Sequence, residues 1–257
     1  MFKSRKTIHF FIITKKQIMF AVCILLSLVL VAATTKTVLA KTERKLPIYS
    51  VETDKKRIAI SFDAAWGNDD TETLIKALKQ YDVPATFFVV GAWVDKYPES
   101  VMQISNAGHQ IQNHSNTHPR MTNLSKTKMA DEINTCNEKI KKLTGVAPTL
   151  FRPPYGDYDN MVVTVVEENN MKAIQWSVDS LDWQETATAD SIYNRVTSKV
   201  KNGSIVLFHN DAEHTPEALP RILDTLKKEG YEFVFISDLI YKDNYEIRHD
   251  GTQCKMN

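Results

Sequence analysis

The stretch RIAISFD, residues 57–63, is an apolar, β-rich run that ends on a carboxylate, and it sets the pattern for the rest of the chain. Further polar signatures close later apolar runs: HSNTH at 114–118, RPPYG at 152–156, DW at 182–183 and LFH at 207–209. In (β/α) barrels the loops that follow the strands gather at one face and build the active site. The sequence therefore predicts a barrel-like α/β enzyme with its chemistry at the strand ends.

Apolar runs with strand character recur along the chain, and helical patterns separate them. The predicted strands are residues 58–62, 85–90, 110–112, 149–151, 173–178, 205–208 and 233–236. The predicted helices are residues 125–143, ended by Gly145, a helix from Thr215-Pro216 to Gly230, and weaker patterns at 70–81, 159–169 and 191–201. Seven strands separated by helices predict a mostly parallel sheet.

Residues 1–40 form a leader of their own. Basic residues precede an apolar run from Ile18 to Ala33, which is typical of a signal peptide or a single membrane anchor. Both interpretations stay open because the run is just short of the ~20 residues that span a bilayer. Both place the remaining chain outside the cytoplasm, at the membrane or in the cell envelope. The further predicted divisions are a linker at 41–56, a folded domain at 57–241 and a tail at 242–257.

The composition favours one globular domain. With 257 residues, 43% hydrophobic content and a net charge of +1, the chain can bury one substantial core, and a disordered or nucleic-acid-binding class is excluded. The three cysteines make no disulfide framework, because Cys23 lies in the leader, Cys136 in a predicted helix and Cys254 near the carboxyl end. An exported protein without disulfides fits a bacterial cell envelope.

His114 and His118 are four residues apart, a spacing that would place both imidazoles on one face of a helical turn. Two such histidines can chelate a cation such as zinc, although a catalytic zinc normally has a third protein ligand and an open position for water. The alternative is a pair of loop histidines that bind nearby carbonyl groups. The spacing alone does not decide between them.

Three charged residues are candidates for acid–base chemistry. Asp63 follows a predicted strand and could take a proton from water, while His209 follows another and could protonate a leaving amine. Arg152 precedes two prolines that fix its direction, and its guanidinium suits a carboxylate such as Asp63. The structural alternatives are a turn-capping aspartate, a buried histidine and an ordinary salt bridge.

Four neighbouring residues complete the candidate site. Tyr155 and Gly156 follow Arg152 in a turn whose backbone N–H could stabilise an oxyanion. Asp182 could orient the imidazole of the histidine at the later strand end, and Trp183 could wall a sugar-binding groove. A place in the hydrophobic core is the alternative for Trp183.

In this order and at these spacings, the five signatures resemble those of the polysaccharide deacetylases of the NodB-homology type, carbohydrate esterase family four. The resemblance covers the chain from about Arg57 to Leu239, and the leader is most similar to that of the sporulation-associated members. It implies a distorted (β/α) barrel that removes N-acetyl groups from amino sugars of peptidoglycan or chitin-like chains. Cell-wall glycan is then the expected partner, with acetate and a free amine as products.

The resemblance also implies a role for each candidate residue. Asp63 would be the general base, Arg152 the residue that fixes it, and Asp182 with His209 the acid pair. Tyr155 would contribute a backbone N–H to the oxyanion hole.

His114 and His118 would bind a divalent metal, with zinc expected, whose bound water attacks the acetamide carbonyl. Here the chain departs from the family pattern. The first motif usually reads Phe-Asp-Asp, with the second Asp as a metal ligand, whereas this chain has Ala64, whose methyl group cannot coordinate a metal.

Three explanations of this difference stay open. Asp63 becomes a ligand itself, Asp69 or Asp70 supplies the missing carboxylate, or the site holds metal weakly or not at all. We expect either a carboxylate from Asp69 or Asp70, or a site of two histidines with extra water.

Ala64 also leaves two functions open. The first is a metal-dependent N-deacetylase of cell-wall glycan, and the alternative is a catalytically impaired relative that binds glycan or an envelope partner. Retention of the base, its arginine and the acid pair favours the enzyme, because a pure binding module has no evident use for them. Another class of metal hydrolase is disfavoured, since no carboxylate-rich dinuclear pattern or HExxH helix occurs.

Overall fold

The computed structural model describes residues 14–38 and 44–256, and the chain divides into two compact units, residues 1–44 and 45–257. Within the first unit, residues Lys15–Val38 form helix α1, and the side chains from Lys15 to Leu28 are exposed. Over the described ranges, no helix combines the length and apolar character of a membrane span. The signal peptide or anchor at residues 1–40 stays a prediction, and part of it lies outside the described residues.

The second unit alternates strands with helices. Its strands are β1 (Ser50–Val51), β2 (Arg57–Ala64), β3 (Ala85–Val89), β4 (Gln110–Asn113), β5 (Leu150–Phe151), β6 (Lys172–Ala173), β7 (Val178–Asp179), β8 (Ile205–His209), β9 (Glu232–Phe233), β10 (Tyr245–Ile247) and β11 (Thr252–Lys255). Its helices are α2 (Thr71–Gln80), α3 (Gly91–Lys96), α4 (Pro98–Asn106), α5 (Lys126–Thr144), α6 (Asn160–Glu168), α7 (Ala189–Lys199), α8 (Thr215–Lys228) and α9 (Ile236–Leu239). Short 3₁₀ turns occur at Met121–Asn123 and Pro154–Gly156.

Seven strands form a continuous parallel sheet in the order β6-β5-β4-β3-β2-β8-β7, and β9 pairs with the beginning of β2. This arrangement confirms the predicted α/β architecture of about seven parallel strands, as a half-barrel. Because the strands are parallel, their carboxyl ends meet at one edge. Asp63 lies opposite His209 of β8 in the strand register, so two predicted site residues are direct neighbours.

β2 is the central strand, and it is buried on both faces from Ile58 to Ala64. Strands of parallel sheets are covered on both sides and are therefore almost continuously apolar. Phe62 stacks against Phe87 of β3 and Phe208 of β8, with ring centroids 4.8 and 5.6 Å away, on the face that α2 and α8 cover. Ser61 and Asp63 point to the opposite face because successive strand residues alternate.

One predicted strand, residues 173–178, is divided in the structure. β6 ends at Ala173 and β7 begins at Val178, and the segment between them leaves the regular ladder. There the carbonyl of Gln175 accepts a hydrogen bond from Arg152, and its side-chain amide donates to the carbonyl of Gly156. The break therefore serves the candidate site, and an apolar run alone could not predict it.

The predicted linker at 41–56 and tail at 242–257 differ from the structure. β1, β11 and β10 form a second, three-stranded sheet in which β1 pairs in parallel with β11. Ile48, Val51 and Cys254 are buried, so residues 44–56 and 242–256 pack on the domain, while residues 41–43 and 257 lie outside the described residues. These strands are two to four residues long and mostly polar, which is why no period-two pattern indicated them.

His109 directly precedes β4, at the end of the sheet opposite the site. Its ring is buried 5.7 Å from the ring of Phe87, and neither ring nitrogen has a hydrogen-bond partner in the described chain. Burial lowers the pKa of His109 to about 4, because a charged imidazole would lose its hydration without a compensating partner.

This burial predicts acid sensitivity. Between pH 6.5 and 4 the unfolded state binds a proton at position 109 that the folded state does not, so stability falls as the pH falls. We expect His109→Leu to reduce the loss of unfolding free energy between pH 7 and pH 5 by about 2 kcal/mol in urea titrations. His249→Leu, which removes an exposed histidine, is the control and should leave the loss unchanged. If His109→Leu and wild type lose the same unfolding free energy between pH 7 and pH 5, His109 is not a source of the acid sensitivity.

Candidate active site

An open cavity of about 460 Å³ lies at the carboxyl ends of the strands. Six of the predicted site residues line it: Asp63, His114, His118, Tyr155, Trp183 and His209. Arg152 and Asp182 are buried behind the lining and bind Asp63 and His209 respectively. The structure thus brings together every residue that the sequence singled out for the site, from five separate segments of the chain.

Asp63 and Arg152 form a buried ion pair. Arg152 Nη1 donates to Asp63 Oδ1 at 2.7 Å, Nη2 donates to Ser61 Oγ at 2.9 Å, and the guanidinium lies 4.1 Å above the ring of Phe88. Burial alone would raise the pKa of Asp63, but the positive charge and hydrogen bond of Arg152, together with the nearby His114 and His209, outweigh it and hold that pKa below its usual value. Asp63 is therefore ionised and fixed in direction, as a general base requires.

His114 is oriented by the backbone of Arg152. Its Nδ1 lies 2.8 Å from the carbonyl oxygen of Arg152, and because a carbonyl can only accept, Nδ1 carries the proton. Burial lowers the pKa of His114, so the ring is neutral and Nε2 keeps its lone pair. That nitrogen lies 3.5 Å from Asp63 Oδ2.

His118 is placed beside His114 by a loop and not by a helical turn. Ser115 and His118 have positive φ angles of 68° and 59°, and the His118 N–H donates to Ser115 Oγ at 3.0 Å. The two imidazole centroids are 4.9 Å apart. Burial lowers the pKa of His118 to about 4, so this ring is neutral as well. The prediction that the pair shares a face is met, but the predicted helical geometry is wrong.

The donors present do not make up a three-ligand metal site. In the described part of the chain no cluster of three or more His, Cys, Asp or Glu side chains could hold a metal ion, whereas a catalytic zinc needs three protein ligands. Ala64 is fully buried in the apolar cluster that contains Phe62, and its methyl group cannot coordinate a metal. His114 and His118 supply two imidazoles, and Asp63 is already bound to Arg152.

The expectation that Asp69 or Asp70 replaces the missing ligand is wrong. Asp70 Oδ2 accepts the backbone N–H of Asp211 at 2.9 Å, and Asp211 Oδ2 in turn accepts the N–H of Gly67 at 3.1 Å. Asp69 is exposed and, like Asp70, lines other cavities than the one that contains the histidines. Asp70 therefore holds together the loops after β2 and β8, a task that sequence spacing did not indicate.

Asp182 and His209 form the second pair of the site. Asp182 Oδ1 accepts from His209 Nδ1 at 2.7 Å, and Oδ2 accepts both the His209 backbone N–H at 2.8 Å and Thr215 Oγ1 at 2.7 Å. Burial alone would lower the pKa of His209, but the hydrogen bond and charge of Asp182, with the charges of Asp63 and Asp179, outweigh it and raise that pKa. His209 is therefore protonated more readily than a free histidine, as suits a general acid. Thr215 was predicted only as a helix start.

Exposed aromatic rings stand at the mouth of the cavity. Trp66, Tyr155 and Trp183 are 58%, 57% and 59% exposed, although large apolar side chains are usually covered. Trp183 is thus a cavity wall and not part of the core. Sequence analysis missed Trp66, which lies 5.2 Å from the ring of His118 and follows a strand end like the other site residues.

The comparisons with known proteins agree with this geometry. Residues 50–174 match the family model "Polysaccharide deacetylase". Three bacterial relatives are similar: the uncharacterized protein YlxY of Bacillus subtilis, 34% identical over 76% of this chain and 60% of that protein; a peptidoglycan-N-acetylglucosamine deacetylase of Bacillus cereus, 33% identical over 72% and 69%; and the peptidoglycan-N-acetylmuramic acid deacetylase PdaA of B. subtilis, 32% identical over 77% of each. The chain therefore spans less than two thirds of YlxY.

The solved structure of BA3943 from Bacillus anthracis, described as a pseudoenzyme of the CE4 family, has a TM-score of 0.72 to this chain. It is 35% identical over 75% of this chain and 68% of its own. A BA3943 mutant with restored enzymatic activity gives the same TM-score at 36% identity.

Fold and site together are those of the glycan deacetylase class, a parallel half-barrel with the buried pairs Asp63–Arg152 and Asp182–His209 at its strand ends. The chain belongs to the polysaccharide deacetylase family, carbohydrate esterase family four. The roles of its individual site residues stay predictions, which the following experiments test.

The buried ion pair predicts a large loss of stability when one partner is removed. Arg152→Met leaves Asp63 charged and unpaired in the interior, so we expect the unfolding free energy to fall by about 3–5 kcal/mol. Arg57→Met breaks a surface ion pair between β2 and Glu232 of β9 and should cost far less, because exposed ion pairs contribute little to stability. Chemical denaturation of both variants checks this. Similar losses of unfolding free energy in the two variants would show that the buried Asp63–Arg152 pair contributes no more to stability than a surface pair.

The acid pair predicts a shifted titration. In wild type the pKa of His209 is raised above 6.5, so the ring is protonated below that raised value and loses its proton as the pH rises through it. Asp182→Asn removes the negative charge, and we expect the pKa of His209 to fall below 6.5 because burial then dominates. Histidine NMR titration measures this directly. Asp190→Asn, at a surface pair with Arg221, is the control; an unchanged His209 titration in Asp182→Asn would contradict the pairing.

Proposed function

We propose that this protein removes N-acetyl groups from the amino sugars of cell-wall glycan, with peptidoglycan as its substrate. The observation that carries the proposal is the pairing at the ends of β2 and β8, where Asp63 and His209 are register neighbours and each keeps its own partner. One strand end thus presents an ionised carboxylate and the next a protonated imidazole. Hydrolysis of an amide needs both a proton acceptor and a proton donor.

The reaction follows from these two groups. Asp63 accepts a proton from water as the water attacks the acetamide carbonyl, and the carbonyl oxygen becomes an oxyanion. His209 then donates its proton to the nitrogen as the C–N bond breaks. Acetate and the free amine of the sugar leave. Tyr155, in the turn after Arg152, is proposed to stabilise the oxyanion through its backbone N–H.

The glycan substrate is supported by the shape of the site and by the relatives. The cavity is open, and Trp66, Tyr155 and Trp183 present exposed rings at its mouth, as a groove for a chain of sugars would need. Relatives 32–33% identical are named as peptidoglycan deacetylases. We also propose a location in the cell envelope, reached through the signal peptide or anchor at residues 1–40. A part in spore formation follows from the resemblance of the leader alone.

The proposal includes a divalent metal, zinc being expected, only as a prediction to be tested. His114 Nε2 and the neutral ring of His118 would supply two of its ligands. The described residues do not provide the third, so the steps given above use the protein groups alone.

A second candidate function is a non-catalytic glycan-binding protein. It is favoured by Ala64, which is buried in the apolar cluster where its relatives in the family carry a metal-binding aspartate. BA3943, which has a similar structure, is described as a pseudoenzyme. The cavity and its aromatic rim would serve binding as well as catalysis.

Acetate release by the purified full-length chain separates the two functions. Peptidoglycan and N-acetylglucosamine oligomers serve as substrates, each with added zinc or with a chelator. We expect release from wild type and at least a 100-fold loss in Asp63→Asn, since removal of a general base costs about 10²–10⁴ in rate. Loss of release in chelator would establish the metal.

Ala64→Asp and Ala64→Asn are the matched pair for the second function, because they differ in charge and hardly in shape. The second function is supported if wild type binds glycan but releases no acetate, and if Ala64→Asp, unlike Ala64→Asn, releases acetate when zinc is added. That result would contradict the proposed deacetylase activity. No release and no glycan binding by folded wild type would overturn both.

A further inference from the structure

Arg120 lies at the mouth of the active-site cavity, and neither the sequence motifs nor the mechanism uses it. It follows His118-Pro119 and precedes the 3₁₀ turn at Met121–Asn123. Its side chain is 58% exposed and lines the same cavity as Asp63 and His209. A cation at the mouth of this cavity can favour substrates that carry a negative charge.

The guanidinium of Arg120 is held in position, but it forms no close ion pair. It lies 4.6 Å above the ring of Tyr155, a cation–π contact that restricts its position. Its nearest carboxylate is Asp157, with Nη1 to Oδ2 at 3.9 Å, too far for a hydrogen bond. That oxygen instead accepts a hydrogen bond from Thr122 Oγ1 at 2.6 Å.

Other arginines of the domain are engaged differently. Arg57, Arg152 and Arg248 each donate to a carboxylate at 2.7–3.1 Å. The guanidinium of Arg120 makes no hydrogen bond to the described residues, and its one ion-pair contact, with Asp157, is long, so its donors are available at the cavity mouth. An exposed, pre-oriented guanidinium suits a planar anion, because its donors bind both oxygens of a carboxylate at once.

The charges of the cavity favour the same ligand group. In the cavity, the carboxylate of Asp63 is paired with Arg152 and the imidazole of His209 with Asp182. Asp179 is a further carboxylate of the lining, and its Oδ1 accepts the N–H of Leu181. Arg120 is the exposed cation that an incoming anion would meet at the mouth.

The two amino sugars of peptidoglycan differ in one such group. N-acetylglucosamine is neutral, whereas N-acetylmuramic acid has a lactyl ether whose carboxylate is free wherever no peptide is attached to it. We propose that Arg120 binds this carboxylate and makes the muramic acid-containing glycan the preferred substrate. The inference rests on the proposed function. The carboxylate belongs either to the sugar that loses its acetyl group or to its neighbour in the chain.

The test compares Arg120→Gln with wild type, both full-length, on three substrates. These are an oligosaccharide of alternating N-acetylmuramic acid and N-acetylglucosamine, the same oligosaccharide as its carboxyl methyl ester, and a neutral N-acetylglucosamine oligomer. We expect kcat/KM on the acidic oligosaccharide to fall about ten-fold or more in Arg120→Gln, mainly through KM, as for a lost hydrogen bond to a charged group. The neutral oligomer should be unaffected, and the ester should abolish the difference between the proteins.

Two further variants separate charge from geometry and from general effects. Arg120→Lys keeps the positive charge but loses the planar pair of N–H donors. Its kcat/KM on the acidic oligosaccharide should lie between those of wild type and Arg120→Gln. Arg221→Gln, at a surface pair with Asp190, is the control and should match wild type on all three substrates. Equal losses on acidic and neutral substrates in Arg120→Gln would show a merely structural role and overturn the proposal.

Mass analysis of the products identifies which sugar has lost its acetyl group, and so whether the carboxylate is that of the reacting sugar or of its neighbour. If no substrate releases acetate, the proposed deacetylase activity has failed, and calorimetric binding of the acidic oligosaccharide and its ester decides the inference. Weaker binding of the acid by Arg120→Gln, with equal binding of the ester, supports it. Equal binding of the acid by wild type and Arg120→Gln overturns it.

Discussion

The buried contact between Arg152 and Asp63 holds the rest of the site in place. One guanidinium keeps the carboxylate ionised, reaches Ser61 two residues earlier on the same strand, and meets the carbonyl of Gln175 beyond β6. The backbone carbonyl of the same arginine fixes the tautomer of His114. Because each bond leaves from one rigid residue before two prolines, displacement of Arg152 would disturb the base, the imidazole and the divided strand together.

The acid side of the site has its own support. Asp182 accepts from both the ring and the backbone of His209 and from Thr215 at the start of α8, so a helix and a strand end are tied to one carboxylate. Asp63 and His209 then differ in charge although they are neighbours in the sheet, because each is governed by its own buried partner. Paired environments that move two pKa values apart are how a single site holds a base and an acid together.

Sequence patterns predicted the parallel sheet and the residues that meet at the candidate site, because apolar runs and polar residues at strand ends are local signals. Three features could not be predicted from such local signals. The positive φ angles that bring His118 to His114 depend on loop packing, the break between Ala173 and Val178 depends on Arg152, and the sheet of β1, β10 and β11 joins segments about 200 residues apart. Trp66 was missed because an exposed tryptophan cannot be told from a buried one by position alone.

Charge balance links Ala64 to the question of metal. Among the buried groups, Asp63 is paired with Arg152 and Asp182 with His209, while burial lowers the pKa of His114 and His118. A second aspartate after Asp63 would add a buried negative charge that needs a partner, and without one it would lower the folding stability. Alanine at position 64 adds no such charge, so both charged pairs of the site are buried without a third carboxylate beside them.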